Sequence, residues 1–299
     1  MVMTEDEVLA LFAHVSNIGR WGPADERGTL NLITDEKRRA ALALPRSGRV
    51  LPLGRPLVIS GSTQHPASAM HVMTTVGDGE ISAQDLLVLS PHGFEMTHLD
   101  AVGHTFHDSR AWNGRPIAGV YTGEGLRFGS ITAAAEGIVT RGILLDVAAA
   151  GGVDHLERGA GVTADDLDRA ETLGSARVES GDAVFIRTGL GLRVQRGGVD
   201  APDLREGVLP DVVGWLHDHD VAVYSGDCIE RLPSGYPRFP LPLHQIGMVA
   251  MGLSILDNPD VEALTGGCRA EGRNDFLLIV APLRLPGGTA SAVNPLAIF

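Results

Sequence analysis

The chain has 299 residues, with 24 Lys+Arg against 37 Asp+Glu and a formal net charge of −13. It is 44% hydrophobic and 20% charged, which excludes a largely disordered chain. The acidic balance argues against nucleic acid or an anionic membrane as a partner, since both reward a basic surface.

Met1 to Glu7 is acidic and lacks the basic start and apolar run of a signal peptide. The most apolar long stretch, residues 132–150, is broken by Glu136, Arg141 and Asp146 and is unsuited to spanning a membrane. Cys228 and Cys268 are too few for a disulfide framework and favour a reducing, cytoplasmic location. Thr4 and Glu7 have capping-box spacing before Val8, Leu9, Leu11 and Phe12, which predicts a first helix. Residues 21–31 are rich in turn-formers and read as an ordered loop. Thr34 caps a second helix from Asp35 to Leu44, stopped by Pro45. Val50 to Ser60 is apolar, but Pro52 and Pro56 restrict it to an edge or irregular strand.

Further on, Asp85–Leu89, Gly142–Val147, Asp182–Thr188, Val221–Ser225 and Phe276–Val280 are short apolar runs bounded by turn-formers, and they read as buried strands. Helices are predicted over Ala164–Leu173, capped by Thr163, and over Leu209–His217. Strands outnumber helices at irregular spacing, which points to a mixed α/β fold rather than a regular doubly wound sheet. No Pro/Ser linker divides the chain. One domain over residues 1–299 is expected, opening with a helical arm over about residues 1–48.

The segment His92-Gly93-Phe94-Glu95-Met96-Thr97-His98-Leu99-Asp100-Ala101-Val102-Gly103-His104-Thr105-Phe106-His107 carries the chemistry. The chain has 11 His, yet three fall between positions 98 and 107, where chance places roughly 0.4. On an extended strand His98 and Asp100 point to one face, so an imidazole and a carboxylate can meet one cation. Gly103 lets the backbone bring His104 back toward them. Neutral imidazole with carboxylate suits zinc, manganese or iron better than calcium.

Thr97-His98-Leu99-Asp100-Ala101-Val102-Gly103-His104 resembles the signature of the cyclase family of metal-dependent hydrolases, which includes bacterial kynurenine formamidase and isatin hydrolase. Further likeness lies in Arg20 to Thr34, in Trp112-Asn113-Gly114 and in the closing segment Pro282 to Pro295, so it extends over nearly the whole chain. It implies an α/β fold of the swivelling β/β/α type with a largely β core, and a homodimer. It implies metal ligation by His98, Asp100 and His244, and a His104 that serves as catalytic acid and base. The acidic ligand that follows in formamidases is matched most nearly by Asp257, one residue late and one methylene short; Gln245 offers an amide oxygen instead. The family's His four residues before the second signature His is Phe94 here, with His92 close by. These departures favour one divalent ion, zinc or manganese, over two.

Trp21 matches an aromatic substrate-contact position of the formamidases, though it also reads as a loop anchor. His71 and His92 are candidates for the wall of a substrate pocket, and His107 for a second proton carrier or a supporting residue. Arg187 and Asp227 stand at strand ends, with site and structural readings equally open. Gly189-Leu190-Gly191 and Gly287-Gly288 lack the context of a phosphate loop. The expected function is metal-dependent hydrolysis of a cyclic amide or aryl formamide, a small-molecule substrate. The alternatives are lactone or ester hydrolysis at the same site, or metal or ligand binding without catalysis.

Overall fold

The computed structural model describes residues 3–61, 68–77, 81–198, 201 and 203–299. At its centre the predicted apolar runs become the strands Ile138–Asp146, Ala183–Arg187 and Val223–Gly226, joined by Ser254–Asp257. These four are parallel. They lie inside a nine-stranded sheet ordered Val50–Pro52, Leu296–Ile298, Asp275–Val280, Ile138–Asp146, Ala183–Arg187, Val223–Gly226, Ser254–Asp257, His98–Asp100, Ala290–Ala292. The outer pairings are antiparallel.

Both faces of the sheet are covered. Val184 and Ile186 join one apolar cluster with Ile143, Leu145 and Ile255, while Ala183 and Phe185 join another with Leu144, Leu256 and Phe276. A strand buried on both sides carries no polar alternation, which is why these strands read as unbroken apolar runs. This α/β architecture with a β centre agrees with the fold class expected from the sequence.

The local helix signals correspond closely to structure. Thr4 and Glu7 form a capping box on the helix Glu5–His14. Thr163 and Asp166 do the same on Ala164–Leu173. The second helix ends at Leu42, two residues short of the expected end. The Leu209–His217 helix begins instead at Asp211, after Pro210 in the N-cap position. Of the Val50–Ser60 run only Val50–Pro52 pairs, at the sheet edge against Leu296–Ile298. Asp85–Leu89 belongs to a longer strand, Ser82–Leu89, which pairs with Ala69–Val76 in a hairpin separate from the large sheet. Among the described residues no helix is long and apolar enough to cross a membrane.

The element that shapes the site is a π-helix, Leu243–Met251, buried along its whole length. It ends at Gly252, whose φ of +72° is left-handed. The Gly252 carbonyl accepts hydrogen bonds from the Thr29 N–H at 2.8 Å and the Thr29 hydroxyl at 3.2 Å. A Cβ at Gly252 would stand 2.7 Å from the Trp112 ring, and the Trp112 indole N–H donates to the Asp25 carbonyl at 3.2 Å. The loop of residues 21–31 and Trp112 thus lock the end of the π-helix. Gly252→Ala combines left-handed backbone strain with overpacking and is expected to cost about 2–5 kcal/mol of unfolding free energy in urea titration. A loss under about 0.5 kcal/mol, the range of an unconstrained surface change, would contradict this packing.

Candidate metal centre

His98 and Asp100 are the two ends of the short strand His98–Asp100, threaded between Ser254–Asp257 and Ala290–Ala292. As expected from strand periodicity they share a face, while Leu99 between them belongs to the apolar cluster with Phe185 and Leu256. The antiparallel register sets Asp257 directly opposite His98. His244 arrives from the π-helix. All four side chains are buried.

Their functional atoms converge. His98 Nε2 lies 3.5 Å from Asp100 Oδ1 and 3.8 Å from Asp257 Oδ2. His244 Nε2 lies 3.8 Å from Asp100 Oδ2 and 4.0 Å from Asp257 Oδ2. One ligand atom from each of Asp100, His244 and Asp257 falls within a mutual 4.8 Å, and so does one from each of His92, His98 and Asp100. At 3.5–4.0 Å these pairs stand at or beyond the hydrogen-bond limit, and the two trios meet at Asp100. Both Asp100 oxygens are buried and accept no aligned hydrogen bond. A buried carboxylate without partners is costly, so this donor set fits a cation.

Hydrogen bonds behind the cluster aim both imidazoles. His98 Nδ1–H donates to the Met96 carbonyl at 2.9 Å, which leaves Nε2 facing the carboxylates. His244 Nδ1–H donates to the buried Glu230 carboxylate, 3.0 Å from Oε1 and 2.9 Å from Oε2. The His244 backbone N–H donates to Glu230 Oε2 at 3.2 Å. A carboxylate behind a ligand imidazole is a common support of metal sites. Sequence reading missed Glu230, because no local motif marks it.

Charge balance in the cluster follows from these neighbours. Burial works to raise the Asp100 pKa, but His92, His98, His104 and His244 together outweigh it and hold the carboxyl low. Burial pushes Asp257 up, and the adjacent Asp100 and Glu230 charges add to the rise. Burial would lower His244, yet Glu230, Asp257 and Asp100 raise it to about 10. His104 is depressed to about 4 by burial, against the pull of Asp100, with His92, His244 and His98 adding to the fall.

His104 stands beside this cluster, its ring centroid 6.5 Å from that of His244. Gly103 makes the approach possible in an unexpected way. A Cβ there would fall 2.6 Å from the Phe128 carbonyl oxygen, so glycine lets two backbone segments touch. His92 stacks on His104 at 4.0 Å with an interplanar angle of 13°. Its Nδ1 lies 3.2 Å from Asp100 Oδ1, and its Nε2 lies 2.9 Å from the Thr289 hydroxyl in the closing segment.

The other candidates lie elsewhere. His107 is buried between Phe12 and Phe239, its ring 4.5 Å from that of Phe239. Gln245 donates to His107 Nδ1 at 3.2 Å, and its amide oxygen accepts from the Leu241 N–H at 3.1 Å, so that oxygen is engaged away from the cluster. Trp21 is half-buried, 6.2 Å from Trp112 between ring centroids. His71 sits on the exposed hairpin, where it pairs with Asp85. Phe94 lies under the Arg205 guanidinium at 3.9 Å.

Both strand-end residues have structural partners. Arg187 is buried between Asp146 and Glu262. Asp227 accepts from the Thr188 N–H and hydroxyl, the Gly189 N–H and the Leu190 N–H at 2.7–3.0 Å. Cys228 is buried, with its thiol pushed well up by burial, which argues against a nucleophile.

Comparison with known proteins places this geometry in context. The Cyclase family model matches residues 56–230, more than half of the chain. No curated protein sequence matches. Among solved structures, a novel cyclase is similar with a TM-score of 0.83 and 27% identity, over 95% of this chain and 99% of the other. Isatin hydrolase A from Labrenzia aggregata, bound to benzyl benzoate, shares the fold with a TM-score of 0.59 and 18% identity, over 83% and 93% of the two chains. A structure described as a potential metal-dependent hydrolase with cyclase activity gives 0.53 and 16%, over 84% and 98%. The sequence and the fold agree: the chain belongs to the cyclase family.

Proposed function

We propose that this protein is a metal-dependent hydrolase that opens the C–N bond of a small cyclic amide or aryl formamide. The observation that carries the reading is the Asp100 carboxylate, buried with neither oxygen in an aligned hydrogen bond and flanked by His92, His98 and His244. His98, Asp100, His244 and Asp257 would hold a divalent cation, zinc or manganese by the chemistry of the donors. When bound, such a cation supplies Lewis acidity toward a carbonyl and makes hydroxide accessible near neutral pH. Fold neighbours that include isatin hydrolase support hydrolysis as the reaction class.

Cleaving a C–N bond with water needs a base for the water and an acid for the departing nitrogen. His104 supplies both in turn, taking the proton at a ring nitrogen and returning it to the leaving nitrogen. Its stack on His92 fixes the ring, and its depressed pKa keeps it neutral and able to accept. Glu230 positions His244. Two buried, unbridged cysteines fit a reducing, cytoplasmic setting.

A second reading, two ions, is favoured by one observation. Asp100 Oδ1 faces His92 and His98, whereas Oδ2 faces His244. The trios His92, His98, Asp100 and Asp100, His244, Asp257 would then each hold one cation, with His92 standing in for the imidazole that Phe94 lacks.

Three outcomes test these roles. His104→Ala should retain metal and lose about 10²–10⁴-fold in turnover; full turnover in steady-state assays would reject the acid/base assignment. Glu230→Gln should weaken metal affinity by about 10–100-fold in chelator competition, with the fold intact by circular dichroism; unchanged affinity would remove Glu230 from the site. A parallel assay of a cyclic imide, an N-formyl aniline and a lactone should show turnover of the first or second. Turnover of the lactone alone would shift the assignment to ester chemistry, and stoichiometric metal without turnover would leave a binding protein.

A further inference from the structure

The helices Glu5–His14 and Asp211–Asp218 finish side by side at the surface. His14 is the last residue of the first, and His217 and Asp218 are the last two of the second. His14 Nε2 lies 3.8 Å from Asp218 Oδ1, and His217 Nδ1 lies 3.2 Å from the same oxygen. The two imidazole rings stand 5.6 Å apart between centroids. One donor atom from each of the three residues falls within a mutual 4.8 Å. The trio shares no residue with the buried cluster around Asp100.

The charge at this point runs against the two helices. The C-terminal end of a helix carries partial negative charge and favours a cation, yet Asp218 puts a carboxylate there. The end of the neighbouring helix adds to the same sign. Among the described residues no Lys or Arg pairs with Asp218, whose partners are the two imidazoles. Two imidazole nitrogens and a carboxylate oxygen form a donor set for zinc rather than for calcium or magnesium. Donors around a tetrahedral zinc stand roughly 3.3 Å apart. The 3.2 and 3.8 Å separations lie near that value, and the His14 and Asp218 side chains, each 64% exposed, have room to close the remainder.

We propose that His14, His217 and Asp218 form a zinc site that ties the first helix to the body of the domain. A ten-residue helix is too short to persist alone in water. Val8 is its one buried residue, and at its start Glu5 Oε1 accepts from the Arg238 N–H at 2.7 Å. An ion at its far end adds a second tie, and an ion held only by the folded chain stabilises the fold. Val8 packs in the apolar cluster that also contains Ile246 and Met248 of the π-helix. This inference is independent of the hydrolase reading.

Zinc titration of the full chain against a competing chelator tests it. The wild type should bind one equivalent that His14→Ala and His217→Ala each weaken by at least about tenfold, the lower effect of losing even a supporting residue. Turnover should be unchanged in both. His98→Ala should keep that equivalent, which separates this site from the buried one. Hydrogen exchange supplies a second readout: in the His98→Ala protein, zinc should slow exchange of the Glu5–His14 amides, and adding His14→Ala should abolish that protection. Equal zinc stoichiometry and affinity in the wild type and both surface variants, or zinc-independent exchange of the helix, would overturn the proposal. So would a zinc-dependent doubling of sedimenting mass that His14→Ala abolishes, which would assign the ion to a bridge between two copies.

Discussion

The centre of this molecule is organised around a buried negative charge. Asp100 is withdrawn from water with neither oxygen in an aligned hydrogen bond, and the neighbours that could compensate it are imidazoles from two stretches of chain, His92 to His104 and His244. Removing a carboxylate from water costs several kcal/mol after relaxation. A fold retains such a group only where something of opposite charge meets it. Apart from His92, 3.2 Å from Asp100 Oδ1, the surrounding ligand atoms stand 3.5–4.0 Å apart, a geometry that answers that requirement better with a cation among them than with direct contacts alone.

The sheet brings these groups together because its strands end where the site needs them. Asp257 is the last residue of a parallel strand, at the end where open α/β sheets place their ligands. Its antiparallel partner delivers His98 to the facing position. The π-helix adds His244 and is restrained at both ends, by Glu230 near its start and by the contacts of Thr29 and Trp112 on Gly252 at its finish. π-Helical turns are uncommon and cluster at functional sites. The departure from α-helical winding here coincides with the one residue on that element that faces the carboxylates.

Much of this was legible from the residues alone. Strand periodicity fixed the relation of His98 to Asp100, and Thr4, Thr34 and Thr163 announced helix starts through side chains acting on backbone three residues away. Those signals are local. Family likeness supplied the distant partners His244 and Asp257, which now lie against His98 and Asp100 in space. What escaped was non-local and without a motif. Glu230 is 14 residues from His244 and meets it only because the chain folds back. Thr289 touches His92 across 197 positions. The winding of Leu243–Met251 leaves no distinctive residue pattern. Phe94 stacks beneath Arg205, a pairing that sequence spacing cannot disclose. The strand Ala69–Val76 escaped because its burial pattern is set by exposure on both faces rather than by a core.

Crystals soaked in zinc or manganese and measured at the metal's absorption edge test the central claim most directly. The expected result is an anomalous peak within ligand distance of His98 Nε2, His244 Nε2 and the Asp100 carboxylate. Metal confined to the surface trio His14, His217 and Asp218, with the buried cluster unchanged, would contradict it.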